Sequence, residues 1–238
     1  MSEQTAFYKC IAYIDCQAGK AAEHSSDTKV VKQYHAPAIT ISRQTGAGGY
    51  TIGRQLVDYL HQHGQKTDCP WTFFDRNLME KVMEDHGLPK RLSEYLPEAH
   101  RSFVEEMVEE ILGLHPPSEI LFRQTSETIL RLAHMGNVIL VGRGANLITS
   151  GLANVFHVRL VGSMDSRTER VQMRHKLSRE QAIAFIQKED AGRKRYIQDY
   201  FKQDIDNPLL YHLVLNTDRI SHDEAAKIIG DAVVNHWR

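Results

Sequence analysis

The segment Ser42-Arg43-Gln44-Thr45-Gly46-Ala47-Gly48-Gly49-Tyr50-Thr51 concentrates glycine between a short apolar run and a helical stretch. Glycine lets the backbone approach an anion closely, and free N–H groups at the start of the following helix point at it. Thr45, Gly46, Ala47, Gly48, Gly49, Tyr50 and Thr51 are therefore candidate phosphate-binding residues. A tight turn with no ligand is the bland alternative. Thr51 is also the candidate side-chain contact to a Mg²⁺ ion arriving with nucleotide phosphates. Arginines supply the second half of such a site. Arg143 stands between two glycines, and a guanidinium fork grips phosphate oxygens bidentately. Arg167, Arg170 and Arg174 recur at i, i+3 and i+7, which puts them on one helical face. Arg193 and Arg195 lie in a charged stretch further on. Glu189–Arg193, Asp190–Lys194 and Arg195–Asp199 are i,i+4 spacings there, so a solvated, ion-paired helix explains that stretch equally well. Phosphoryl transfer unites these residues, because it needs cations around a charge-rich transition state rather than a base of unusual pKa.

Elements that would position these groups follow from the apolar patterning. Ala38–Ser42, Trp71–Phe74, Val138–Val141, Val155–Val161 and Leu213–Leu215 read as short buried strands. Helices are expected from about Thr51 to His63, from Ser178 to Phe201 and from Ser221 to Trp237, with most of residues 77–135 helical as well. Ser178-x-x-Gln181 and Ser221-x-x-Glu224 read as capping boxes. Strands alternating with helices predict an α/β fold with a parallel sheet. Such sheets bind ligands at the carboxyl ends of their strands, where Asp75, Arg143 and the glycine turn all fall. Residues 1–36 stand apart. Phe7, Cys10, Ile11 and Ile14 repeat at helical spacing, Gly19–Lys32 reads as a polar linker, and the segment packs on the main domain or mediates self-association.

Composition narrows the function classes. The chain has 238 residues, 42% hydrophobic and 25% charged, enough apolar material for a sizeable core. A formal charge of −1 argues against a basic nucleic-acid-binding surface. Cys10, Cys16 and Cys69 form no CxxC pair, and an odd, sparse count fits a reducing cytoplasm better than a disulfide scaffold. No apolar run approaches the roughly 18 residues of a membrane span, and with Met1–Thr5 polar no signal peptide is expected. The histidines form neither HxxxH nor HExxH, so no zinc site is expected. No GxSxG nucleophile elbow occurs.

Gly46, Ala47, Gly48 and Thr51 match the GAGKGT core of the adenylate/cytidylate kinase P-loop, with Gly49 at the lysine position and Arg43 at the first glycine. Ile39–Gln44, Phe74–Leu78, Val141–Asn146 and Asn216–Ser221 extend the match in the same order. Over about residues 38–235 the chain resembles the cytidylate-kinase-like family. The resemblance implies a P-loop nucleoside-monophosphate-kinase fold: a five-stranded parallel core, a helical acceptor-binding insertion at about 77–135 and a lid at about 178–203. It implies transfer of the ATP γ-phosphoryl group, with Mg²⁺, to a nucleoside monophosphate, CMP or dCMP by analogy. Asp75 would lie close to the acceptor, or cap the helix starting at Arg76. Arg143 would hold the acceptor phosphate, although Gly144 replaces the family's cytosine-reading aspartate. Arg123 would add an acceptor-side cation, or pair with Glu119 and Glu127 on a helix surface. Arg193 and Arg195 would be the lid's phosphate-binding arginines, and Arg167 and Arg170 would be further substrate-binding candidates. Asn216 would lie beside the donor base. Arg43 or Arg54 would substitute for the missing lysine. Two alternatives stay open: a catalytically inactive nucleotide-binding protein of the same fold, and an NAD-type oxidoreductase. Gly46-x-Gly48 and Asp75 suggest the latter, but its third glycine is not cleanly placed.

Overall fold

The computed structural model describes residues 3–24, 36–64, 67–75, 77–79 and 120–236. Most of the expected insertion therefore lies outside the described residues. In chain order the elements are α1 (Glu3–His24), β1 (Ala38–Arg43), α2 (Gly49–His63), β2 (Thr72–Phe74), α3 (Ile120–Met135), β3 (Val138–Val141) and α4 (Ala145–Ile148). They continue with β4 (Val155–Val161), α5 (Met164–His175), α6 (Arg179–Phe201), a 3-10 turn (Pro208–Leu210), β5 (Leu213–Asn216) and α7 (His222–His236).

All five strands run parallel in the order β2-β3-β1-β4-β5. β1 is central, and its residues from Ala38 to Ser42 are buried, as a strand covered on both faces must be. Ile39 pairs with Ile139 on one side and Phe156 on the other. With Ile52, Leu56, Leu60, Ile229 and Val233 these residues belong to one continuous core. Fully burying such a side chain stabilises by about 1.5–3 kcal/mol, before the cost of ordering the chain. Strand alternation sends Thr40 and Ser42 to the opposite face, where Thr40 Oγ1 meets His157 Nδ1 at 2.8 Å and Arg159 donates to Ser42 at 2.8 Å. That face is polar, and it forms the floor of the candidate site.

Both expected capping serines work. Ser178 closes a reciprocal box with Gln181 at the start of α6, and Ser221 Oγ accepts from Glu224 N at 3.2 Å. α1 differs from expectation by running through Gly19 to His24. It packs on the domain: Cys10, Tyr13 and Ile14 are fully buried and join the main core, and the Tyr13 hydroxyl donates to Gly136 O. Its periodicity beyond Ile14 is too weak to mark a helix in the sequence. The cysteine reading is corrected here as well. Cys16 and Cys69 form a disulfide across 53 residues of chain, and Cys10 remains a buried thiol. Counting cysteines could not reveal that α1 lays Cys16 beside the approach to β2, so cysteine usage no longer argues for a reducing compartment. Among the described residues no helix is long and apolar enough to cross a membrane, and no group of histidine, cysteine, aspartate or glutamate could hold a metal ion.

Candidate functional site

The glycine turn leaves β1 and enters α2 with Gly46 at φ 80° and Gly48 at φ 85°, a conformation that favours glycine. Space enforces the same choice. A Cβ on Gly46 would come within 2.6 Å of Arg167 O, and one on Gly48 within 2.3 Å of His222 Nε2. Gly48 is the N-cap of α2 and offers no side-chain cap, so the first amides of the helix are left to other partners. α5 braces the turn from behind. Arg167 donates through Nε to Gly162 O at 3.0 Å and through Nη1 to Thr45 O at 3.2 Å. Arg170 donates to Gly46 O at 3.2 Å and to Thr217 O at 2.7 Å. Arg174 covers the Tyr50 ring with its guanidinium carbon 5.0 Å from the centroid. The expected single arginine face of α5 is real, but Arg167 and Arg170 direct much of their hydrogen bonding to the turn's own carbonyl oxygens.

A cavity of about 390 Å³ opens between the carboxyl ends of β1 and β3 and the inner side of α6, and Arg43 is the residue next to the glycine turn that lines it. Arg43, Arg143, Lys188 and Arg193 give it a cationic lining, with Glu189 the acidic member. Arg43 crosses from the end of β1 over the start of α2. A Cβ on Gly49 would lie 3.0 Å from Arg43 Cγ, and one on Gly142 would lie 2.2 Å from Arg43 Nη1. Its stem thus fills the space a side chain at position 49 would enter, and its guanidinium reaches the turn that carries Arg143. Arg143 is itself in the left-handed conformation, φ 57°, within the run Gly142–Gly144. Arg193 donates to Asp190 at 2.9 Å and to Glu189 at 3.2 Å. Burial lowers its pKa from the ordinary guanidinium value, against the two carboxylates that raise it.

Other expected residues stand elsewhere. Arg195 is on the exposed side of α6 and does not line the cavity; i,i+2 spacing from Arg193 turns it away on a helix. Arg123 has a side chain 49% exposed and pairs with Glu127 at 3.1 Å, the helix-surface alternative. Asp75 accepts from Leu78 N at 2.9 Å, which is a capping bond. Asn216 turns back on its own loop and accepts from Asp218 N at 2.9 Å. Thr51 is exposed in the first turn of α2, one turn from the glycines. Tyr50 packs edge-on against Phe73 at 5.5 Å. Position 144 has no room for a side chain: a Cβ there would meet Phe201 at 2.9 Å and Ile197 at 3.3 Å, at φ 69°. Phe201 belongs to an aromatic group with Phe122, Tyr196 and Tyr200.

Asp190, Arg159 and His222 are functional candidates that the sequence does not single out. Asp190 reaches Thr45 instead of pairing with Lys194, which turns to Asp204 and Asp206 at 3.6 and 3.7 Å. Its i,i+3 spacing to Arg193 was the available signal. Arg159 is 4% exposed within a β strand and bonds Ser42 and, at 2.7 Å, Asp206. A charged residue inside a buried strand was the signal there. His222 packs over Gly48, and its buried Nε2 makes no hydrogen bond. Burial first, then the nearby Arg170 charge, lowers its pKa.

A parallel sheet with β1 between β3 and β4, and a glycine-rich turn leading from β1 into a helix, defines the P-loop kinase fold. The dinucleotide alternative loses its footing here, since a Rossmann sheet places β2 beside β1. The cytidylate kinase-like family model matches residues 38–219, and the chain belongs to that family. A cytidylate kinase of Methanocaldococcus jannaschii is 24% identical over 199 residues, covering 83% of this chain and 97% of that protein. One from Pyrobaculum neutrophilum is 28% identical over 196 residues, covering 82% and 91%. Among solved structures, an uncharacterized protein from Eubacterium ventriosum superposes with a TM-score of 0.67 at 20% identity, over 85% of this chain and 99% of that one.

Proposed function

We propose that this protein transfers the γ-phosphoryl group of ATP to a nucleoside monophosphate, with CMP and dCMP the first acceptors to test. The observation that carries this reading is that Arg43, where β1 enters the glycine turn, lines one cavity together with Arg143 and Arg193 at the carboxyl edge of the sheet. The turn holds the donor phosphates through its amides. Arg143 grips the acceptor phosphate from the opposite wall. Arg43 substitutes for the lysine that Gly49 replaces, because its stem already occupies the start of that side chain's path. Arg193 comes in on α6, which acts as the lid, and neutralises charge on the transferring group. Arg195 is not part of this set. Positioning and charge stabilisation carry the reaction, and no general base is required. The α2 N-terminus, which starts at Gly48 with no side-chain cap, offers its first amides to polyphosphate. The exposed Thr51 hydroxyl suits a Mg²⁺ ion, which when bound supplies charge neutralisation between phosphates.

One observation favours a second reading of the same fold. Gly49 provides no lysine, so a nucleotide-binding protein without turnover is the alternative. A steady-state assay with ATP, Mg²⁺ and CMP, dCMP, UMP or AMP, run beside calorimetry, separates them. Turnover with at least one acceptor supports phosphoryl transfer. Binding without turnover across the whole panel selects the inactive reading.

A further inference from the structure

Thr45 is the residue through which the glycine turn and α6 meet. Its amide N–H donates to Asp190 Oδ1 at 2.8 Å, and its hydroxyl donates to the same oxygen at 2.7 Å. Arg193 Nη1 donates to that oxygen at 2.9 Å, while Arg167 Nη1 donates to Oδ2 at 2.6 Å. One carboxylate is therefore held by a backbone amide, a hydroxyl and two guanidinium groups. These donor types bind phosphate oxygens elsewhere, and a carboxylate is the nearest anion a side chain can offer in their place. The Asp190 side chain keeps 28% of its surface exposed, so the position opens to a ligand, whereas Arg167 behind it is 7% exposed. The arrangement ties the middle of α6 to the turn that precedes α2.

We propose that Asp190 is a built-in competitor for the terminal phosphate of a nucleotide. Its carboxylate takes the place of an anion on Thr45. On binding, phosphate oxygens displace it and take over Thr45, Arg167 and Arg193. The proposal rests on the reading of the glycine turn and arginines as a polyphosphate site. Two anions cannot share these donors without strong repulsion, so the carboxylate and the phosphate exclude each other. A phosphate carries more negative charge and more acceptor oxygens than a carboxylate, so it wins the exchange at a cost in apparent affinity. That cost equals the reduction expected when only part of the population is competent to bind. Before ligand arrives, the same contact keeps the two arginines paired and α6 in place. Afterwards it is the freed carboxylate that must find water.

Calorimetric titration of ATP, tripolyphosphate and adenosine into the wild-type protein and Asp190→Asn tests this. Removing the competing charge is expected to tighten ATP and tripolyphosphate binding about tenfold, the scale of one charge-assisted hydrogen bond. Adenosine, which has no phosphate, should bind both proteins alike. ATP binding by Asp190→Asn that is equal to or weaker than wild type overturns the proposal while leaving the polyphosphate site standing. Failure of wild-type protein to bind either phosphate compound overturns both. A second measurement needs no variant. In the wild-type protein, the Asp190 carboxyl carbon resonance must shift when tripolyphosphate saturates the site. A resonance that stays unmoved at saturation overturns the exchange.

Discussion

At the scale of single residues the account turns on the proposal that Arg43 does the work of a P-loop lysine. Arg43 leaves the end of β1, passes over Gly49 and reaches Gly142, so one flexible cation touches both halves of the proposed site. Arg43→Ala should lower kcat by about 100-fold, the usual effect of deleting one donor that stabilises transition-state charge. Arg43→Lys should keep more of the activity, since a charge remains within reach. Steady-state kinetics with the best acceptor checks this, and an Arg43→Ala enzyme with unchanged kcat would remove Arg43 from the mechanism. A guanidinium between glycines and another among carboxylates singled out Arg143 and Arg193 in the sequence, and both line the cavity. Asp190 was not legible. An i,i+4 rule pairs it with Lys194, but its actual partner is Thr45, 145 residues away in the chain. Arg195 failed for the reverse reason: type and neighbourhood fitted, while helix geometry pointed it outward.

Elements were the most readable level. Among the described residues, short apolar runs with turn residues at both ends marked every strand, and serine three residues before glutamine marked the start of α6. Packing of α1 on the domain was one of two expectations, but its length was not readable, because the apolar repeat that marks it ends at Ile14. The disulfide between Cys16 and Cys69 fastens this helix to the domain. Closing a loop of that length removes unfolded-state entropy equivalent to about 2–4 kcal/mol. Cys16→Ser should therefore lower the unfolding free energy by about that amount in chemical denaturation, with nucleotide affinity unchanged, because neither cysteine lines the cavity. A parallel loss of ATP binding would mean that α1 supports the site as well as the fold.

For the whole molecule, the sheet order places the site, and order is what a single sequence conceals. Strand patterns predict five parallel strands but not that β1 lies between β3 and β4, which brings Arg43 and the Gly142–Gly144 turn side by side. The same order sets His157 of β4 beside Thr40 of β1 on the polar sheet face. Burial first, and the neighbouring His212 second, lower the His157 pKa from 6.5 to about 4. Its neutral form is thus favoured in the folded state, so this contribution to stability is complete above pH 6.5 and is lost as pH falls through about 4. The loss amounts to about 3 kcal/mol from this one group. Denaturant unfolding across that range should show it, and His157→Asn should flatten the acid slope; equal slopes in both proteins would mean that other groups govern acid unfolding. The central claim is that backbone amides of the glycine turn and arginines from distant segments surround one polyphosphate. Amide and guanidinium resonances followed during titration with Mg²⁺-ATP and then CMP test it most directly. The account predicts that ATP moves Thr45–Tyr50 and Arg193, and that CMP then moves Arg143. Saturable binding that leaves Thr45–Tyr50 unmoved would contradict it.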